Sequence, residues 1–477
     1  MEYFDLHCHP SFKPFLSAEK PNQKKNCWDP LPNVIPIVES QSSLDQVKKG
    51  KVKLAVAGIY AMERGFSSAF IIKHIAPLVS ILDKQFIDNM NSYHYHDLLQ
   101  DEIAFFMKNR NINGNEFRVL DKITDLQDDK LNIILSIEGG HALDGKKSVL
   151  ENLVAFKKQS PRILYLTLTH LTQYDLSTHA YGMKMIKADV FKPKGLGITA
   201  AGLKVIDTCY DSNIGKRIFV DIKHMSLVSR LQFYKYRQEK GFNTIPIIAS
   251  HCAVAGTSYK GLNKYFKNKP IQQGDYIQVK LKRPKGIGKT NFNPWTINLF
   301  DEEIPIILGS GGLIGISLDQ RILGSNNVKG EFFSKEEFTH LNQHWQSTIR
   351  SAAFEDDDEI EFDQELQRPK DIRLNVRKHL RHLTNTILHF VKIGGPKTWK
   401  HLCLGSDYDG LIDAVNNCLC INEYPNLEKD LVKMIPKSVK KAKQTDPTID
   451  FHITDIKQQV RDIMYNNAFN FLQKNFQ

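Results

Sequence analysis

The segment Asp5-Leu6-His7-Cys8-His9-Pro10 places two imidazoles two residues apart near the start of the chain. On an extended strand, residues at i and i+2 project to the same face, so His7 and His9 point together while Cys8 points away. Paired imidazoles are ligands favoured by zinc and similar divalent ions. A His-x-His pair is weak evidence alone and calls for partners elsewhere. Candidates recur at the ends of apolar, β-branched runs. Glu138 ends Leu131–Glu138, His170 ends Ile163–His170, and His224 ends Arg217–His224. His251 ends Ile245–His251, and Asp407 ends His401–Asp407.

Eight such runs occur in order, completed by Tyr3–His9, Lys53–Tyr60 and Gly312–Leu318. Helical periodicity fills most of the gaps, as in Phe86–Lys108 and Ser226–Lys240, and a helix opens at Thr199–Leu203 and runs to about Asp211. Alternating strands and helices predict a parallel sheet, because parallel strands need long crossovers. Eight units suit an α/β fold of the closed (β/α)8 TIM-barrel type. A doubly wound open sheet is the alternative, weakened by the lack of a Gly-x-Gly-x-x-Gly turn after the first strand. In a barrel the C-terminal strand ends converge on one face, and six of the eight runs carry an ionisable residue there. Their shared position outweighs chance placement of any single polar residue.

At 477 residues the chain exceeds a minimal barrel. One domain, 1–477, is expected, with excursions at about 256–294 and 323–367. The first is lysine-rich and reads as a solvated basic loop. The second contains the acid run Glu355–Glu359, read likewise as a solvated loop. Tyr424–Gln477 reads as C-terminal helices.

Composition narrows the function classes. Forty-one per cent of residues are hydrophobic and 25% charged, as in an ordinary globular protein. No run of about twenty apolar residues occurs, so no membrane span is expected. No signal-peptide pattern opens the chain, making cytoplasmic location the default expectation. The seven cysteines are scattered without a Cys-x-x-Cys pair, against a disulfide scaffold or zinc finger. The net charge of +11 comes without a nucleic-acid motif, so no nucleic-acid partner is expected. His94 and His96 are read as helix-surface residues. His379, His382 and His389 are read as packing residues on one helix.

Several motifs together resemble the membrane (renal) dipeptidase family of the amidohydrolase superfamily. They are Ser136-Ile137-Glu138-Gly139-Gly140-His141, Tyr165–His170, Gly197–Gly202, Val220–His224, Ser250-His251, Gly311–Ile316, Gly405–Gly410 and Val460–Ala468, in the expected order. The resemblance spans nearly the whole chain apart from the excursions. It implies a distorted barrel holding two divalent ions, zinc in the family. His7, His9 and Glu138 would hold one ion, with Glu138 bridging to a second held by His224 and His251. Asp407 would sit beside the metals and handle protons. His170 would face the substrate carbonyl oxygen as it becomes anionic.

Two departures stand out. The family has His-x-Asp after the first strand, where this chain has His9, which makes the site about one charge unit more positive and favours a more acidic metal-bound water. The family also has arginines after the sixth strand, one pairing with the substrate carboxylate. Here Cys252-Ala253-Val254-Ala255-Gly256 follows, and no position matches. The expected activity is hydrolysis of an amide or dipeptide-like bond by a metal-bridging hydroxide. Lactone or phosphoester hydrolysis and a non-catalytic metal-binding barrel are the alternatives. The expected partner is a small-molecule or dipeptide-like substrate, with a homodimer as a candidate assembly.

Overall fold

Eight parallel strands form one continuous path in chain order. They are β1 (Tyr3–Cys8), β2 (Val52–Tyr60), β3 (Leu131–Glu138), β4 (Ile163–Thr167), β5 (Phe219–Asp221), β6 (Ile248–Cys252), β7 (Leu313–Ile316) and β8 (Leu402–Leu404). This computed structural model describes residues 2–19, 25–31, 39–67, 83–112, 114–183, 188–325, 330–351 and 372–477. The acid run Glu355–Glu359 lies outside the described residues.

Every residue of β1 and β3 is buried, as expected for strands covered on both faces. The path closes into a distorted (β/α)8 barrel through a short seam between β1 and the turn after β8. There the His9 amide donates to the Tyr408 carbonyl at 2.8 Å and the Asp407 amide donates to the His7 carbonyl at 2.9 Å. Behind the seam, buried Asp5 accepts from the Ser406 amide at 3.0 Å and from the Ser406 and Tyr424 hydroxyls. Glycine permits the tight approach of neighbouring strands, since a Cβ on Gly315 or Gly405 would lie 1.8 Å from the Ser250 carbonyl oxygen.

Side-chain caps set the crossover helices. Ser148 and Glu151 form a reciprocal capping box before Val149–Lys158, Thr199 caps Ala200–Tyr210, and Ser226 caps Leu227–Glu239. The Phe86–Lys108 periodicity resolves into two helices, Lys84–Ser92 and Tyr95–Lys108. His94 occupies the exposed N-cap position of the second without a side-chain cap bond, whereas His96 is half-buried. On helix Ile372–Gly394, buried His379 accepts from the Asn416 amide at 3.0 Å and His389 meets Asp301 at 2.8 Å.

The basic excursion departs from the solvated-loop expectation. Ile271–Gln273 and Tyr276–Val279 form a hairpin, joined by Glu331–Ser334 and Arg350–Ser351 from the other excursion into a second, four-stranded sheet. A separate apolar cluster fixes it, including Ile277, Val279, Leu281, Phe333, Phe338 and Trp345. Alternation explains the misleading composition. Leu281 is buried between exposed Lys280 and Lys282, so the lysines occupy only the outer face.

Arg230, fully buried in Leu227–Glu239, clamps this side of the barrel. It donates to both carboxylate oxygens of Glu303, at 2.6 and 3.0 Å, and to the carbonyls of Met225, Thr296 and Asn298. Glu303→Ala is expected to destabilise the fold by about 3–5 kcal/mol, because it strands a buried guanidinium. Chemical denaturation of both proteins measures the loss. A change below about 1 kcal/mol would show that the pair is not a clamp.

Candidate metal centre

The barrel seam brings His7 of β1 and His9 just beyond it against Asp407 in the turn after β8. Glu138 reaches the same point from the end of β3. The His7 Nε2 lies 3.4 Å from Glu138 Oε1, and the His9 Nε2 lies 3.2 Å from Glu138 Oε2. From the other side, the Nε2 atoms of His224 and His251 stand 3.2 and 3.7 Å from Glu138 Oε1. Asp407 Oδ1 is 3.6 Å from His9 Nε2, and its Oδ2 is 3.8 Å from His251 Nε2. The structure therefore brings together His7, His9, Glu138, His224, His251 and Asp407 from across the chain. A side chain on Gly58 would obstruct this, since its Cβ would sit 2.9 Å from the His9 ring and 3.1 Å from that of His7.

Hydrogen bonds behind the rings assign their inward atoms. The Tyr165 hydroxyl donates to the Leu6 carbonyl, so the 2.7 Å contact at His7 Nδ1 is a ring N–H donating to the tyrosine oxygen. His9 Nδ1 donates to the Gly58 carbonyl at 2.9 Å. Ser250 donates to Asp221, so His251 Nδ1 donates to the Ser250 oxygen at 2.8 Å. The outward Nδ1 of each of these three rings is thus engaged, which leaves its Nε2 facing the centre. The inward Nε2 atoms crowd, with 3.0 Å between those of His7 and His9 and 3.2 Å between those of His224 and His251. Glu138 Oε1 is buried among them with no hydrogen-bond partner. Nε2 atoms crowded around an unpartnered carboxylate oxygen form a donor set that a divalent cation would draw together. Ligands of one tetrahedral zinc ion lie about 3.3 Å apart, which matches these separations. The residues fit a divalent metal.

The electrostatics agree. Burial would raise the Glu138 carboxyl, but His170 and His7 outweigh it and hold it well below the usual carboxylate range. Burial would lower His9, yet Asp407 and Glu138 lift it to about 10. His224 goes the other way, pushed down to about 3 by burial and by the neighbouring His170. Burial and His7 likewise push His251 down. Without metal, then, the carboxylates hold a proton on His9, while His224 and His251 stay neutral.

His170 lies across the centre, with Nε2 3.7 Å from Glu138 Oε2. Its Nδ1 donates to Glu63 Oε1 at 2.8 Å. Burial would depress the His170 pKa, but the Glu63 and Glu138 carboxylates outweigh it and raise it. Glu63 and Tyr165 are the contacting residues that strand-end reasoning missed. Glu63 falls three residues beyond the last residue of β2, in a turn. Tyr165 lies mid-strand in a run otherwise typical of core.

No family model and no curated protein matches the chain. Solved structures do. The chain is similar to the crystal structure of the probable dipeptidase PvdM from Pseudomonas aeruginosa, at 13% identity, 100% coverage of this chain, 96% of that one and TM-score 0.54. The fold is shared. The chain is also similar to a metallopeptidase from Rhodobacter sphaeroides liganded with a phosphinate mimic of the dipeptide L-Ala-D-Ala, at 13% identity, 100% and 99% coverage and TM-score 0.48.

Because His9 is protonated in the metal-free site, filling that site must expel a proton. Zinc added to metal-free protein at pH 8 is expected to release about one proton per molecule as His9 becomes a ligand. Calorimetric titration in two buffers of different ionisation enthalpy measures this. Equal heats in both would contradict a proton held on His9 in the metal-free site.

Proposed function

We propose that this protein is a hydrolase that uses two divalent metal ions, zinc by ligand type, to cleave an amide or dipeptide-like bond. His7, His9 and Glu138 would hold one ion, and Glu138, His224 and His251 would hold the second. The observation that carries this is the buried, unpartnered Glu138 Oε1 ringed by the imidazoles of His7, His224 and His251, with His9 against Oε2. When bound, such ions polarise a carbonyl and acidify water.

The remaining steps belong to the protein. Asp407 has the more exposed carboxylate, 15% against 4% for Glu138, and sits over the His7, His9 and His251 side. It accepts the proton of the attacking water and returns it to the leaving amine. Its backbone is held at φ 65°, a strained conformation of the kind that concentrates at reacting centres. His170, on the opposite side, donates to the carbonyl oxygen as negative charge develops.

Two features bear on substrate. The segment Cys252–Ala255 is buried and apolar, so no arginine there meets a substrate carboxylate. His9 in place of a carboxylate leaves the centre more positive, which favours a lactone or phosphoester as the second reading. Parallel assays of zinc-loaded protein on dipeptide, N-acyl amino acid, lactone and phosphoester panels separate the two.

Asp407→Asn is expected to retain both ions by elemental analysis and to lose about 10²–10⁴-fold in kcat. Near-wild-type turnover in this variant would remove Asp407 from the mechanism.

A further inference from the structure

Glu63 belongs to no metal-ligand set, yet it is 1% exposed and placed directly behind His170. Three donors converge on its carboxylate. His170 Nδ1 at 2.8 Å and the Leu171 amide at 3.1 Å share Oε1, and the Tyr60 hydroxyl takes Oε2. The carboxylate is therefore itself held from three directions. Tyr60 also packs edge-on against the His170 ring, with centroids 4.7 Å apart, and its amide is bonded to buried Glu102 at 2.9 Å. His141 closes the far side, stacked at 6.5 Å from His170 and anchored through Nε2 to the Ala61 carbonyl at 2.7 Å.

An imidazole offers two similar edges, and either nitrogen can face a site if the ring turns over. Here only one orientation satisfies Glu63, because a turned ring would lose the 2.8 Å bond and leave a buried carboxylate oxygen underused. We infer that Glu63 is a positioning residue that fixes His170 with Nε2 facing the metal centre and the substrate oxygen. This rests on the role proposed above for His170 and adds its determinant. It also assigns work to the end of β2, which carries none of the ligands proposed above, since Glu63 follows that strand.

A double-mutant cycle tests it, with turnover on the best substrate from the panel. Glu63→Ala is expected to lower kcat about 10²-fold, the scale of losing one oxyanion donor, with KM changed less than about 3-fold and metal content unchanged. Glu63→Gln keeps an acceptor oxygen, guards against misfolding, and should lose less than the alanine variant. In a His170→Gln background, Glu63→Ala should cost under about 2-fold, because its route to the reaction is gone. An equal loss in both backgrounds would overturn the inference and make Glu63 a structural residue. Unchanged turnover in His170→Gln would overturn it together with the His170 role, leaving metal-dependent turnover standing.

A readout independent of turnover accompanies the cycle. In ¹H–¹⁵N spectra of protein labelled at histidine, the signal lost in His170→Gln should show a protonated Nδ1. That pattern should change in Glu63→Ala. An unaltered Nδ1 signal there would also overturn the inference.

Discussion

The barrel closes where its first strand meets the turn after its last, and that seam forces His7, His9 and Asp407 onto one another. Two backbone hydrogen bonds make the contact, and Asp5 fastens it from behind through Ser406 and Tyr424. Glu138 then sets the cost, because an ionised carboxylate with an unpartnered oxygen is buried where the Nε2 atoms of several imidazoles converge. Such a cluster is unfavourable unless positive charge is supplied. The second layer resists its collapse. Tyr165, Gly58 and Ser250 each take the outer nitrogen of one ring, so the inner nitrogens cannot rotate away. Asp407, Asp409 and Leu411 all adopt positive φ, and the turn holds because Asp409 accepts from the Gln41 and Ser42 amides and pairs with buried Lys13.

Much of this was legible because barrel strands obey a simple rule. A strand covered on both faces must be apolar, so a polar residue at its end stands out. Glu138, His224, His251 and Asp407 were visible for that reason, and the structure gathers them around His7 and His9. Glu63 was hidden because it sits in a turn, where a glutamate is unremarkable until the His170 ring is found against it. Tyr165 was hidden because its ring fills space like any core aromatic, and only the hydroxyl carries its contribution. The second sheet was hidden for a different reason. Its core joins Leu281 and Ile277 to Phe333 and Trp345, more than fifty residues away, and no local period reports such a pairing.

The second sheet changes what the excursions are. Glu337, buried on its helix Lys335–Trp345, accepts from the Ser226 hydroxyl that caps Leu227–Glu239 and from the Gly197 amide at 3.3 Å. Ser226 lies two residues after His224. The added sheet is thereby tied to the segment that carries the second proposed ion, and its lysines line the outside of that unit. Insertions at the C-terminal face of a barrel are where substrate preference is set.

In the proposed function one carboxylate, Glu138, would lie between two ions held by two pairs of histidines. Anomalous scattering from a crystal of zinc-loaded protein, collected on both sides of the zinc absorption edge, tests it most directly. Two peaks are expected, each within about 2.3 Å of a Glu138 oxygen, one against His7 and His9 and the other against His224 and His251. Peaks away from these residues, or none in a protein that elemental analysis shows to be zinc-loaded, would contradict it.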